Sequence, residues 1–208
     1  MVLGAGVWLL SPFGRYPERR NADRVSAKET MEAKMEIRIP EPGESRVAYA
    51  DSLFRGGYNC AQSVFAAYAD LFGMDRTTAL KMSSAMGGGI GRMREICGAV
   101  SAMAMLAGLK EGNDDPENEE AKAHIYALVR DMSGKFKEKE GTLICRELLG
   151  IEGMEESAKP TVRTPAFYAT RPCARLIAEA AEIIEEILLE REPERKERNC
   201  KEGPEQKK

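Results

Sequence analysis

Residues 85–112 of the chain are AMGGGIGRMREICGAVSAMAMLAGLKEG, and this stretch decides how the chain folds. Four of its first seven residues are glycines, namely Gly87, Gly88, Gly89 and Gly91. Glycine lets one backbone approach another where a Cβ would forbid it. Cys97 follows, with the small residues Gly98 and Ala99 beside it. We therefore predict that Cys97 lies on a crowded buried helix, and that the glycine turn bends the chain so that other cysteines can meet it.

The composition of the chain limits its chemistry. The 208 residues are 43% hydrophobic, which is typical of one globular domain. The 31 basic and 34 acidic residues nearly cancel, and no basic stripe interleaves with aromatic residues, so we do not expect a nucleic-acid partner. The single histidine, His124, leaves little material for a histidine metal site or a Ser-His-Asp triad. Any chemistry must therefore rest on the five cysteines.

The apolar runs of the chain predict a cytoplasmic protein. None approaches the roughly 20 residues that a transmembrane helix requires. The apolar segment MVLGAGVWLL at positions 1–10 lacks a basic start and a small-residue cleavage site, so we do not expect it to be a signal peptide. In a reducing compartment, cysteines are more often catalytic, redox-sensing or metal-binding than locked in structural disulfides.

Apolar residues at helical spacing predict an all-α fold, a compact bundle of five to seven helices with disordered tails. We divide the chain into a disordered or weakly structured leader (1–45), a four-cysteine helical domain (46–191) and a disordered charged tail (192–208). No segment has the pattern of a strand, and residues 151–167 are expected to be irregular. Helices are expected from Val47 to the Gly56–Gly57 break and near 59–72, 75–86, 95–110, 117–139, 142–149 and 170–190.

Three cysteines occupy predicted helix starts. Cys60 directly follows Asn59, a suitable N-cap residue. Cys145 and Cys173 each follow a threonine by three residues, and the two threonines are Thr142 and Thr170, of which Thr170 is the predicted N-cap of the last helix. A helix start presents unpaired N–H groups and the positive end of the helix dipole, both of which stabilise a thiolate.

This placement predicts lowered thiol pKa values, and hence a reactive thiolate at Cys60 or Cys145. The neighbouring Arg146 and Arg175 are expected to add to the effect. The four core cysteines are separated by 37, 48 and 28 residues, and no C-x-x-C sequence occurs. A local dithiol or a zinc knuckle is therefore excluded, and the cysteines can only be assembled by tertiary folding. Three pairings remain open.

The order of several short motifs resembles a known family. The chain has YNCAQ at 58–62, GGGIG at 87–91, CGA at 97–99 and CRELLG at 145–150, and Cys173 then opens the last helix. This order resembles the C-GCAxxG-C-C family, which is defined by four cysteines and a CGAxxG motif, over about residues 47–190. Ala102 stands where the motif has its final glycine, which suggests slightly looser helix packing at that point.

The resemblance implies a small helical protein to which redox activity is assigned by inference. It assigns the reactive site to Cys60, Cys97, Cys145 and Cys173. The turn that we expect to support this site contains Gly87, Gly88, Gly89, Gly91 and Gly98.

Three functions remain open at this point. The leading hypothesis is a thiol–disulfide oxidoreductase without a cofactor, in which one thiolate attacks and a neighbouring cysteine resolves. Its partner would be a redox protein or a small thiol or disulfide. In the second hypothesis the same four cysteines ligate an iron–sulfur cluster or a metal ion for electron transfer. The third is a helical interaction module with buried, inert thiols. Cys200, in the charged tail, is interpreted as incidental.

Overall fold

A computed structural model describes residue 40 and residues 43–152 and 157–189 of the chain. The predicted all-α class is confirmed, because this part of the chain contains helices, turns and one isolated β-bridge but no strand. It contains eight α-helices, one more than the upper limit that we predicted. The tail at 192–208 and all but a few residues of the leader at 1–45 lie outside the described residues.

The first four helices lie between residues 46 and 111. They are α1 (Arg46–Arg55), α2 (Cys60–Tyr68), α3 (Arg76–Ser83) and α4 (Gly98–Glu111). Short 3₁₀ turns extend α2 over Ala69–Phe72 and α3 over Ser84–Met86. The remaining helices are α5 (Glu119–Glu140), α6 (Cys145–Leu148), α7 (Pro165–Thr170) and α8 (Cys173–Ile183), and α8 continues as a π-helical segment over Ile184–Leu189.

Helix α2 begins and ends where the sequence predicts. The Asn59 side chain accepts a hydrogen bond from the Gln62 backbone, and the Gln62 side chain accepts one from the Asn59 backbone. This reciprocal capping box satisfies two of the N–H groups that a helix start leaves open. Gly73 closes the 3₁₀ extension in the left-handed conformation, with φ of 79°. Such a C-terminal cap favours glycine because it has no Cβ to clash.

Helix α2 is the centre of the bundle. Seven of its nine residues are buried, and α1, α3 and α4 pack around it. Helix α4, which we expected to be apolar and buried nearly all round, buries half of its fourteen residues. Helix α8 crosses α1 and also contacts α2, α4 and α5. Cys173, at the start of α8, therefore comes to the same end of α2 as Cys60. The bundle core therefore surrounds the helix that carries Cys60.

Between residues 151 and 172 the helices differ from the prediction. The segment predicted as irregular contains α7, which starts with Thr164 as N-cap and Pro165 in the first turn. This Thr-Pro pair is a helix-start signal, because proline is tolerated where the N–H has no partner. Thr170 is the last residue of α7 and not the N-cap of α8, a position that Pro172 occupies.

Helix α7 is short and amphipathic, and it packs on α1. The Phe54 ring of α1 lies with its centroid 5.5 Å from the Tyr168 ring and 6.2 Å from the Phe167 ring. This contact brings the segment before α7 next to the start of α2. None of the helices in the described ranges is long and apolar enough to span a bilayer.

Candidate functional site

All four core cysteines lie at helix starts. Cys60, Cys145 and Cys173 are the first residues of α2, α6 and α8, and Cys97 is the N-cap residue of α4. We had placed Cys97 inside a helix starting at Glu95, but the helix begins three residues later. Cys97 is the most buried of the four, with 4% exposure, and Cys60 is half-buried. Cys200 lies outside the described residues.

A short backbone pairing joins the start of α4 to the start of α6. The Cys97 backbone N–H donates to the Leu143 carbonyl at 2.9 Å, and the Cys145 N–H donates to the Glu95 carbonyl. Ile96 and Ile144 form the only isolated bridge in the described part of the chain. This pairing explains the late start of α4, because the residues before Cys97 are bonded to another segment. It also sets two cysteines side by side.

Gly98 lets the start of α4 approach the start of α2. An added Cβ at Gly98 would lie 3.0 Å from the Met86 carbonyl oxygen and 3.2 Å from the Ala61 backbone nitrogen. These are backbone atoms and cannot swing aside. The glycine after Cys97 is therefore what permits this approach to Ala61, the residue next to Cys60.

The glycine turn forms a left-handed loop. Residues 88–92 all have positive φ, and Arg94 has φ of 63°. The loop is closed by backbone hydrogen bonds between residues six positions apart. The Gly91 N–H donates to the Ala85 carbonyl at 2.6 Å, and the Glu95 N–H donates to the Gly89 carbonyl at 3.2 Å. Left-handed geometry costs a non-glycine residue about 1–2 kcal/mol, and Ile90 and Arg92 adopt it as well. Such strain is concentrated at functional sites.

The loop packs against two of the cysteine-bearing helix starts. An added Cβ at Gly89 would lie 2.7 Å from the Cβ of Cys145, and one at Gly87 would overlap the Asn59 side chain that caps α2. This close packing is the role that we expected of the glycine turn. Gly91 differs from the others, because an added Cβ there would have no neighbour closer than 3.9 Å.

Two of the thiols are kept neutral by burial. Burial raises the pKa of Cys97 to about 12, although the Ala99 and Val100 backbone N–H groups partly oppose the shift. Burial also raises the pKa of Cys145, against a hydrogen bond from Arg94 that favours the thiolate. Arg94 is itself buried, with 4% exposure. Both cysteines are therefore protonated at neutral pH.

The other two thiols form a hydrogen-bonded pair. The Cys60 thiol donates to the sulfur of Cys173 and lowers the pKa of Cys173 to about 7, against the opposing effect of burial. Arg171, Arg163 and Arg94 add to this lowering through their positive charge. The same hydrogen bond, together with burial, raises the pKa of Cys60 well above its ordinary value. One proton and one negative charge are thus shared by two sulfurs near neutral pH.

The predicted lowering of the pKa at Cys60 and Cys145 is therefore wrong. The dipole of a helix start contributes about 0.3–1 kcal/mol, less than one pKa unit, whereas full burial shifts a pKa by up to about 3–5 units. Burial outweighs the dipole at Cys97 and Cys145, and at Cys60 the hydrogen bond to Cys173 together with burial does so. The expected aid from Arg146 and Arg175 is also absent, because Arg146 pairs with Glu95 at 2.6 Å and Arg175 pairs with Glu140.

The arginines that do act on the thiols lie elsewhere in the sequence. Arg94 precedes Cys97 by three residues, Arg171 precedes Cys173 by two, and Arg163 lies before α7. From the sequence, we linked none of these three arginines to the thiols. The closeness of Arg171 to Cys173 in sequence was a usable signal, whereas nothing local pointed to Arg163.

These arginines border a cleft of about 280 Å³ that opens beside Cys60. One wall is the glycine loop with Arg92 and Arg94. The facing wall is the segment around Pro160 together with Arg163, Phe167 and Arg171. Cys60 is the one cysteine among the described residues that line the cleft.

The metal hypothesis requires several ligands around one point. Within residues 40, 43–152 and 157–189, no three cysteine, histidine, aspartate or glutamate side chains are arranged to hold a metal ion. The four thiols also have unequal surroundings, since two of them are engaged in a pairwise hydrogen bond. The donor set therefore does not fit a preformed metal site.

A family model described as "Putative redox-active protein (C_GCAxxG_C_C)" matches residues 58–187, well over half of the chain. The chain belongs to this family. The match spans all four helix-start cysteines, the left-handed loop and the cleft. No curated protein and no solved structure is similar enough to the chain to match it.

One position of the family motif has a different residue in this member. Ala102, which replaces the final glycine of CGAxxG, is fully buried in α4. The C-GCAxxG-C-C family is described as redox-active.

Proposed function

We propose that this C-GCAxxG-C-C protein is a thiol–disulfide redox protein whose reactive pair is Cys60 and Cys173. The observation that carries the proposal is the hydrogen bond between these two thiols, of which Cys60 lines an open cleft and Cys173 has the lowered pKa. Disulfide exchange needs a thiolate and a second cysteine close by, at a place that a disulfide can reach. The pair fits these requirements.

In the proposed reaction, the Cys60 proton passes to Cys173 as Cys60 attacks a disulfide RSSR in the cleft. A Cys60–S–S–R mixed disulfide forms, and one RS⁻ leaves. Cys173 then attacks the Cys60 sulfur, and its proton leaves with the second RS group as RSH. Two protein thiols become one disulfide while RSSR is reduced to two thiols, and the reverse sequence reduces the protein.

Cys97 and Cys145 take no step in this scheme. Their raised pKa values favour the neutral thiol, and unlike Cys60 neither of them lines the cleft. They form the buried side of the site, where the backbone pairing at Ile96 and Ile144 orients the left-handed loop. A partner that reacts with all four cysteines would contradict this division.

The test is to expose the reduced protein to hydroxyethyl disulfide, count the remaining thiols and map the cross-links by mass spectrometry. We expect the core to lose two thiols reversibly and to contain a Cys60–Cys173 disulfide. Cys60→Ala or Cys173→Ala should abolish this disulfide. The matched controls Cys97→Ala and Cys145→Ala should retain it.

Two results would overturn the proposal, and both can be obtained on the unmodified protein. Stoichiometric iron with acid-labile sulfide in anaerobically purified protein would establish the cluster hypothesis instead. Core thiols that resist both oxidation and alkylation in the folded state would leave an interaction module with inert cysteines.

A further inference from the structure

The cleft beside Cys60 has a uniform charge. Its described lining contains four arginines, namely Arg92, Arg94, Arg163 and Arg171, and no lysine, aspartate or glutamate. The volume of about 280 Å³ is close to the lower limit for small-molecule sites, roughly 300 Å³. A concentration of positive charge in a cleft attracts anions and raises their local concentration.

Arg163 is held rigidly in the cleft wall. Its guanidinium donates to the Phe54 carbonyl at 3.0 Å and to the Tyr58 carbonyl at 2.8 Å. It also lies over the rings of Phe54 and Phe167, at 4.7 and 5.1 Å from their centroids. Carbonyls and aromatic rings orient a guanidinium but do not neutralise it. Arg163 therefore contributes its positive charge to the cleft.

Arg171 is oriented in the same way. Its guanidinium lies 4.9 Å from the centre of the Phe167 ring. No carboxylate among the described residues pairs with Arg163 or Arg171. Arg146 and Arg175, in contrast, pair with glutamates, and these carboxylates lie outside the cleft.

The opposite wall is fixed by the strained loop. Arg92 has φ of 76° and donates to the Thr161 hydroxyl at 3.0 Å, across the cleft. Arg94 has φ of 63° and contacts Cys145 from a buried position. The left-handed backbone that costs energy at both residues also aims both arginines at the cleft.

We infer that the arginine-lined cleft selects an anionic small-molecule disulfide, or the corresponding thiol, as the direct reaction partner of Cys60. The inference rests on the proposed function. Guanidinium groups bind carboxylates through paired, charge-assisted hydrogen bonds and reject cationic groups. They also stabilise the RS⁻ that leaves when Cys60 attacks, so positive charge favours the chemical step as well as binding.

A charge series of small symmetrical disulfides tests the inference. Dithiodipropionate carries carboxylates, hydroxyethyl disulfide is neutral and cystamine carries ammonium groups. The rate of Cys60–Cys173 disulfide formation is measured with each and divided by the rate of the same disulfide with mercaptoethanol, which removes differences in leaving-group reactivity. We expect the normalised rate for the anion to exceed that for the neutral disulfide by about tenfold, and cystamine to be slowest.

Substitutions identify the source of the preference. Arg171→Gln should reduce the anion-to-neutral ratio by at least about threefold, because one of four charges is removed. Arg171→Lys, which keeps the charge, should retain most of the ratio. Arg130→Gln removes a charge from an exposed position on α5, outside the cleft, and should leave the ratio unchanged. Added salt should lower the ratio in the unmodified protein.

The possible failures are distinguishable. Equal normalised rates for all three disulfides would overturn the anion selection and leave the redox pair intact. No reaction with any of them would instead contradict the proposed function. A preference that Arg130→Gln lowers as much as Arg171→Gln would reflect net charge and would also overturn the assignment to the cleft.

Discussion

Substitution of Gly89 by alanine tests whether the left-handed loop is packed as tightly as the structure indicates. The new Cβ would lie 2.7 Å from the Cβ of Cys145, 2.9 Å from the Glu95 nitrogen and 3.0 Å from the Arg94 carbonyl carbon. Two of these atoms belong to the backbone. Relief of the contacts therefore requires the loop to shift relative both to the start of α6 and to its own closing residues, Arg94 and Glu95.

The expected destabilisation has two sources. Alanine at φ of 68° costs about 1–2 kcal/mol for the left-handed conformation. Insertion of a methyl group into closely packed surroundings typically costs a further 1–3 kcal/mol or so. We therefore expect Gly89→Ala to lower the free energy of unfolding by about 2–5 kcal/mol.

Gly73→Ala is the matched control. Gly73 has a similar φ of 79°, but an added Cβ would have no neighbour within 4 Å. This variant should lose only the conformational part, about 1–2 kcal/mol. The difference between the two variants therefore isolates the close packing around Gly89, against Cys145 and against the backbone of Arg94 and Glu95.

The measurement is urea unfolding of both variants under reducing conditions, followed by circular dichroism. The free energies are compared at equal slopes of the unfolding transition, since a changed slope would indicate a changed compactness. A Gly89→Ala variant that is no less stable than Gly73→Ala would refute the reasoning, because the contact distances at Cys145 would then have no energetic consequence.

Two further predictions concern ionisation and helix stability. The ultraviolet thiolate absorbance of the reduced protein should titrate with a midpoint near pH 7, and Cys60→Ala should move that midpoint upward because Cys173 loses its donor. The pKa of Cys173 is lower in the folded state than in the unfolded chain, so its thiolate raises the free energy of unfolding. This contribution is complete above the ordinary thiol pKa and is lost as the pH falls through about 7. A Cys173→Ser variant that shows the same pH dependence of unfolding would contradict this. Gly134→Ala, in the middle of α5 with open space around the added Cβ, should raise the free energy of unfolding by roughly 0.5–1 kcal/mol, and a loss in the same urea experiment would show an unseen contact.

Much of the local structure could be predicted from short stretches of sequence. The Asn59 cap and the end at Gly73 follow from interactions between residues at most four positions apart. The start of α6 at Cys145 does not, because the backbone N–H groups of Cys145 and Arg146 donate to the Glu95 and Arg94 carbonyls. The helix α7 was missed although its Thr164–Pro165 start is also local, because the surrounding prolines suggested an irregular segment. The all-α class follows from apolar spacing in the same way.

The tertiary structure alone decided which cysteine is ionised. At each helix start the sequence supplies the same small dipole effect, so it cannot rank Cys60, Cys145 and Cys173. The hydrogen bond between Cys60 and Cys173, burial, and the charges of Arg171 and Arg163 produce the ranking. Arg163 meets the Cys60 end of α2 across about a hundred residues of chain. A pKa depends on the three-dimensional surroundings of a group, so a pattern of neighbours in sequence can place a thiol at a helix start but cannot determine its charge.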